Sequence, residues 1–278
     1  MENCIEVNNL SRAYLRFALK NVSFNVPSGS VVGFIGENGA GKTTTIKAIL
    51  GLIHFDSGSV TVLGENSMTL SPALKEKIGV VFDGLCFPSN LNVRQLDKVM
   101  RGIYKTWNSE KFFEFMKKFE LPVDKKLKVF SRGMVMRLSI AAALSHDSQV
   151  LILDEPTSGL DPVMRSEILD LFLEFMQDET HSILVSTHIT SDLEHIADYI
   201  CFIHKGEIVF MEERNKMLER HRILKCTDEQ LDRIEKSDII GVRRGKFHNE
   251  VLTVNAAKYP DITADAPTID EIMIFYVK

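Results

Sequence analysis

Val31-Val32-Gly33-Phe34-Ile35 runs straight into Gly36-Glu37-Asn38-Gly39-Ala40-Gly41-Lys42-Thr43, and Thr43 to Leu50 continues with helical apolar spacing. The first five residues are too continuously apolar for a half-exposed strand and read as one buried on both faces. The next eight have the form GxxxxGK[ST]. Glycines there let consecutive backbone amides point into one concavity, which is what a phosphate group needs. The helix that starts near Lys42 adds the positive end of its dipole. In this setting Lys42 reaches β- and γ-phosphates and the Thr43 hydroxyl faces Mg²⁺, while Gly36, Asn38, Gly39, Ala40, Gly41 and Thr44 complete the cradle.

Downstream, Val150-Leu151-Ile152-Leu153 is an apolar run ending in Asp154-Glu155. On a parallel strand neighbouring the phosphate loop, Asp154 would hold Mg²⁺ and Glu155 would orient and polarise an attacking water. Short strands are also expected at Ile5-Val7, Val22-Val26, Ser59-Leu63, Ile78-Phe82 and Ser182-Ser186, with Pro27-Ser28-Gly29 as a turn. Helix-length segments lead to the later strands, so the fold class is α/β with helices around a sheet. Between Phe82 and Val150 the pattern is helical. Phe112, Phe115, Met116 and Phe119 form one i, i+3, i+4, i+7 stripe, read as a packed face, with a hydrophobic partner site as the alternative. After about Glu212 the pattern shifts again. Glu229-Lys236 reads as a helix, Ile239-Arg243 with Val251-Val254 as a hairpin, and Thr268 with Glu271 as a capping box.

The chain has 278 residues and a net charge of −5, which argues against the basic footprint of a nucleic-acid partner. The longest charge-free run, Asn21 to Gly36, is broken by Asn, Ser, Pro and Gly and does not read as a membrane span. MENCIEVNNL lacks the basic head and apolar centre of a secretory signal. Cys4, Cys86, Cys201 and Cys226 form no CxxC pair, so reduced thiols are expected rather than a metal cluster. Arg243-Arg244 and the basic stretch Arg214 to Lys225 read as solvated faces.

With further motifs in order, the chain resembles the ATP-binding subunits of ABC transporters over about Ile5 to Glu212. Ser158-Gly159-Leu160-Asp161 resembles the D-loop that links the two nucleotide sites of a dimer. Ser186-Thr187-His188 resembles the switch segment whose His188 senses the γ-phosphate. Tyr14, before Ala18 to Phe24, resembles the aromatic that stacks on adenine. Phe130-Ser131-Arg132-Gly133-Met134 stands where the LSGGQ signature belongs: Ser131 and Gly133 match, while Arg132 replaces a glycine and Met134 the glutamine. Arg132 is expected either to add charge toward phosphate or to point to solvent. Asp83 stands where the family has the Q-loop glutamine, and is expected to bind Mg²⁺ directly or through water, or to repel phosphate when metal is absent. The variant signature and acidic loop are similar to a bacterial subgroup of drug and lantibiotic exporters.

The resemblance implies a P-loop NTPase of ABC type with a mixed sheet. It places a cassette over residues 1–212, with a helical subdomain at about 84–148, and a small α/β appendage over 213–278. It implies ATP and Mg²⁺, catalytic Glu155, His188 and Lys42, and a second subunit whose Ser131, Gly133 and Asp161 complete the opposite site. It also implies a separate membrane permease, received near Cys86-Phe87-Pro88, and a position on the cytoplasmic face of the membrane. A soluble ABC ATPase that moves no cargo, and a weakly active regulatory subunit, are the alternatives.

Overall fold

The computed structural model describes residues 2–277. A hairpin of β1 (Asn3–Tyr14) and β2 (Phe17–Pro27) opens the chain, and Pro27-Ser28-Gly29 turns it into β3 (Val31–Ile35), buried along its whole length. The glycine-rich loop leads to α1 (Lys42–Ile49), then β4 (Ser57–Val62), β5 (Glu65–Asn66), α2 (Pro72–Lys75) and β6 (Ile78–Val81). Three helices follow, α3 (Val93–Ile103), α4 (Ser109–Lys118) and α5 (Arg132–Ala143). The chain then alternates through β7 (Val150–Asp154), α6 (Pro162–Phe175), β8 (Ser182–Thr187), α7 (Thr190–Ile196), β9 (Tyr199–His204) and β10 (Glu207–Glu213). Its last part holds α8 (Arg214–Arg220), β11 (Arg222–Cys226), α9 (Asp228–Arg233), β12 (Gly241–Arg244), β13 (Asn249–Thr253), β14 (Thr263–Asp265) and α10 (Ile269–Val277).

The central sheet has the order β10-β9-β3-β8-β7-β6. Its strands are parallel except β10, which runs antiparallel to β9, so the sheet is mixed. The phosphate-loop strand β3 and the Asp154 strand β7 are not neighbours as expected; β8 stands between them. β7 and β8 are both buried along their whole length, so burial alone does not set their order. This placement brings the C-terminal ends of β3, β8 and β7 side by side, where open α/β sheets carry their ligands.

A second sheet, β2-β1-β4-β5, is antiparallel and packs over the first through Phe24, stacked on Phe34 at 5.1 Å. The Phe112, Phe115, Met116 and Phe119 stripe is buried and shares a core with Leu96, Met100 and Met136, so it is a packed face. A third antiparallel sheet, β12-β13-β11-β14, forms the C-terminal part. Thr268 and Glu271 cap α10 reciprocally, Glu271 N donating to Thr268 Oγ1 at 3.2 Å and Thr268 N to Glu271 Oε2 at 2.9 Å.

The stretch from Arg214 to Lys225 is not simply a solvated basic face. It forms α8 and most of β11, and buries Met217, Ile223 and Leu224. Lys216, Arg220 and Lys225 pair with Glu213, Glu212 and Asp265. Ile269, Ile272 and Phe275 of α10 share one core with Leu193 of α7 and Phe202 of β9. No helix among the described residues is long and apolar enough to cross a membrane.

Candidate functional site

Gly41 precedes α1 with φ 117°, a left-handed conformation suited to glycine, and a Cβ there would meet Leu19 Cδ2 at 2.7 Å. A Cβ at Gly36 would stand 2.4 Å from the carbonyl oxygen of Ile203. No side chain caps the start of α1, so its first amides remain free to meet an anion. Lys42 is buried and folds back over the loop, its Nζ donating to Gly36 O at 2.7 Å.

Asp154 ends β7 almost fully buried, and both of its oxygens are engaged. Thr43 Oγ1 donates to Oδ2 at 2.8 Å, and Ser186 Oγ, from the end of β8, donates to Oδ1. Glu155, the next residue, has φ 53° and is held there by its amide, which donates to Ser186 O at 3.0 Å. Its carboxylate faces Lys42 Nζ at 3.5 Å through Oε1 and His188 Nδ1 at 2.7 Å through Oε2. Lys42, Thr43, Asp154, Glu155 and His188 therefore converge from the ends of three adjoining strands.

These groups open onto a cleft of roughly 390 Å³ lined by Phe17, Asn38, Gly39, Thr44, Asp83 and the residues just described, except His188. Thr43 and Asp154 present two hard oxygens side by side. No group of three or more His, Cys, Asp or Glu side chains among the described residues could hold a metal by itself. Such a donor set fits Mg²⁺, which takes one or two protein oxygens and completes its shell with water and substrate phosphate.

Tyr14 does not line the cleft. It stands exposed at the hairpin end, under the Arg12 guanidinium at 5.2 Å and 6.5 Å from the Phe17 ring. Phe17, which the sequence reading passed over, lines it instead. Ser131, Gly133 and Asp161 also lie outside the lining. Ser131 caps α5, accepting from Met134 N at 3.3 Å, and Asp161 caps α6, accepting from Val163 N and Met164 N at 3.1 Å. Arg132, about half exposed, pairs with Asp83 at the cleft. Its Nη2 lies 2.9 Å from each Asp83 oxygen, and its Nε is 3.2 Å from Oδ1.

Two buried supports were given no role of their own in the sequence. Ser186 was quoted there only as a strand end and the first residue of the switch segment. Asp192, on α7 just after the switch segment, accepts from Thr157 Oγ1 at 2.6 Å and from Arg165, tying the segment after Glu155 to the one after His188. Aligned motifs would have pointed to both only through sheet order, which the sequence does not spell out.

Residues 19–158 match the family model described as ABC transporter. The bacitracin transport ATP-binding protein BcrA of Bacillus licheniformis is 34% identical over 213 residues, covering 75% of this chain and 69% of that protein. The lantibiotic transport ATP-binding protein SrtF of Streptococcus pyogenes is 37% identical over 212 residues, covering 75% and 90%. A solved ATP-binding subunit of an ABC transporter superposes with a TM-score of 0.71 at 26% identity, covering 78% of this chain and 92% of the other. A dimeric cassette in a post-hydrolysis state, bound to ADP and Pi, shares the fold with a TM-score of 0.66 at 24% identity over 75% of this chain and 98% of the other. With a phosphate loop and a paired Asp154-Glu155 lining one cleft, and His188 held against Glu155, the chain belongs to the ABC transporter family as one of its ATP-binding, ATP-hydrolysing subunits.

Proposed function

We propose that this chain drives a separate membrane permease, on the cytoplasmic face of the membrane, by closing and opening a dimer around ATP. The observation that supports this most is the convergence of Lys42, Thr43, Asp154, Glu155 and His188, while Ser131, Gly133 and Asp161 of the same chain stay outside that cleft. Groups that the resemblance assigns to a triphosphate, yet that do not line their own cleft, favour a second subunit, identical or related, placed head to tail. ATP then bridges two surfaces through its γ-phosphate, and hydrolysis removes the bridge.

Lys42 and the amides of Gly36 to Thr44 hold the phosphates, and Phe17 with Tyr14 at the rim offers the adenine an aromatic edge. Thr43 and Asp154 would hold Mg²⁺, which would supply positive charge beside the phosphate oxygens. Glu155 orients the attacking water and His188 reports the γ-phosphate. Residues 1–212 act as the cassette, with 84–148 as its helical subdomain and the loop at Cys86-Phe87-Pro88 receiving the permease. Residues 213–278 are an appendage that braces α7 and β9. The bacitracin and lantibiotic relatives favour export of a peptide antibiotic or similar envelope-active compound.

Steady-state turnover with and without Mg²⁺ tests the roles. Glu155→Gln should lower kcat by about 100-fold or more while the affinity for ATP changes less than about threefold. Equal loss of binding and turnover would contradict the assignment of Glu155 to the chemical step.

A further inference from the structure

The cleft that receives a polyanion is itself rich in carboxylates: Glu37, Asp83, Asp154 and Glu155 all line it. Asp154 is held by Thr43 and Ser186, and Glu155 by Lys42 and His188. The partner of Asp83 comes from another element, since Arg132 at the first turn of α5 grips both of its oxygens. The same Nη2 lies 3.1 Å from Ser158 Oγ, and the arm lies along the turn at Gly159, where a Cβ would be 3.6 Å from Arg132 Cδ. One guanidinium thus joins the loop after β6, the start of α5 and the loop after β7.

Each member of the pair is electrostatically misplaced by itself. A cation in the first turn of a helix opposes the helix dipole, and α5 has no acidic residue in that turn. A carboxylate beside a triphosphate repels it. A guanidinium stays charged at every working pH and its fork matches a carboxylate in two places, so each residue offsets the other's misfit. Both are also the positions where the sequence departs from the family pattern.

We propose that Arg132 and Asp83 are a matched pair, Arg132 acting as a positioning residue that turns the Asp83 carboxylate away from the bound phosphates and cancels its charge. This rests on the nucleotide reading of the cleft. The side chains are 55% and 44% exposed, so solvent screens the pair and its effect is moderate. Because the pair lies within one chain, a monomer shows the effect as well as a dimer does.

The test is titration of the full-length protein with a fluorescent ATP analogue in EDTA at low salt, comparing wild type, Arg132→Ala, Asp83→Asn and the double variant. Arg132→Ala should weaken binding about fivefold in the wild-type background and less than about 1.5-fold in the Asp83→Asn background, because Arg132 acts through Asp83. The fivefold loss should fall below about twofold in 1 M salt, a dependence that misfolding would not produce. Unchanged binding by Arg132→Ala, or an equal loss in both backgrounds, overturns the pairing. Wild-type protein that binds no ATP overturns the nucleotide reading and the pairing with it, so the two failures are distinguishable.

Discussion

Ser186, quoted in the sequence only as a strand end and the start of the switch segment, shows how much of the site depends on a residue to which the motif assigns no role. It is fully buried, donates to Asp154 and accepts from the Glu155 amide, and so aims both carboxylates at the cleft. Ser186→Ala should leave Asp154 short of one partner, costing about 1–3 kcal/mol where a buried charge loses a hydrogen bond. Turnover should fall about tenfold with little loss of ATP affinity, measured by steady-state kinetics beside nucleotide titration. Lys42 with Thr43, and Asp154 with Glu155, were legible as two short local motifs that phosphate chemistry demands, and His188 through the resemblance. Ser186 beside Asp154, Phe17 in the cleft and Arg132 on Asp83 were not, because each is a meeting of segments distant in sequence. For Arg132, charge toward phosphate and exposure to solvent were both weighed, but not a partner 49 residues away.

Among the elements, strands with unbroken apolar runs were readable almost to their ends. Val31–Ile35 and Val150–Asp154 differ from expectation by no more than one residue. Their order in the sheet was not readable, since nothing local tells β8 to enter between β3 and β7. The C-terminal hairpin and the cap of α10 were also legible, whereas β11 was hidden by the basic residues around its buried Ile223 and Leu224. The α10 helix is anchored by His221, fully buried, with Nδ1 2.8 Å from Met217 O and Nε2 3.1 Å from Tyr276 Oη. Those partners suit the neutral ring, with Nδ1–H donating and Nε2 accepting. Burial pushes the His221 pKa below its ordinary value near 6.5, and burial does the same to His146 against Glu76 O. Above pH 6.5 neither state binds these protons; below it the unfolded chain takes them up first, so stability falls with acidification. The urea midpoint should be lower at pH 5.5 than at pH 7.5, and His221→Phe should shrink that difference by about half. A midpoint difference unaffected by His221→Phe would remove His221 from this account.

At the scale of the whole molecule, the function proposed above makes the chain the motor half of a divided machine. One phosphate loop, one facing pair of carboxylates and one switch histidine make one site, while Ser131 and Asp161, which cap α5 and α6, lie outside its lining. The C-terminal part shares a core with α7 and β9, and α7 follows directly on the segment that carries His188. The central claim is that nucleotide joins two such chains and hydrolysis parts them. Light scattering of the Glu155→Gln variant tests it most directly: with Mg²⁺ and ATP the mass should double, and with ADP or without nucleotide it should be that of a single chain. A single-chain mass under all three conditions, with ATP bound, would contradict the account.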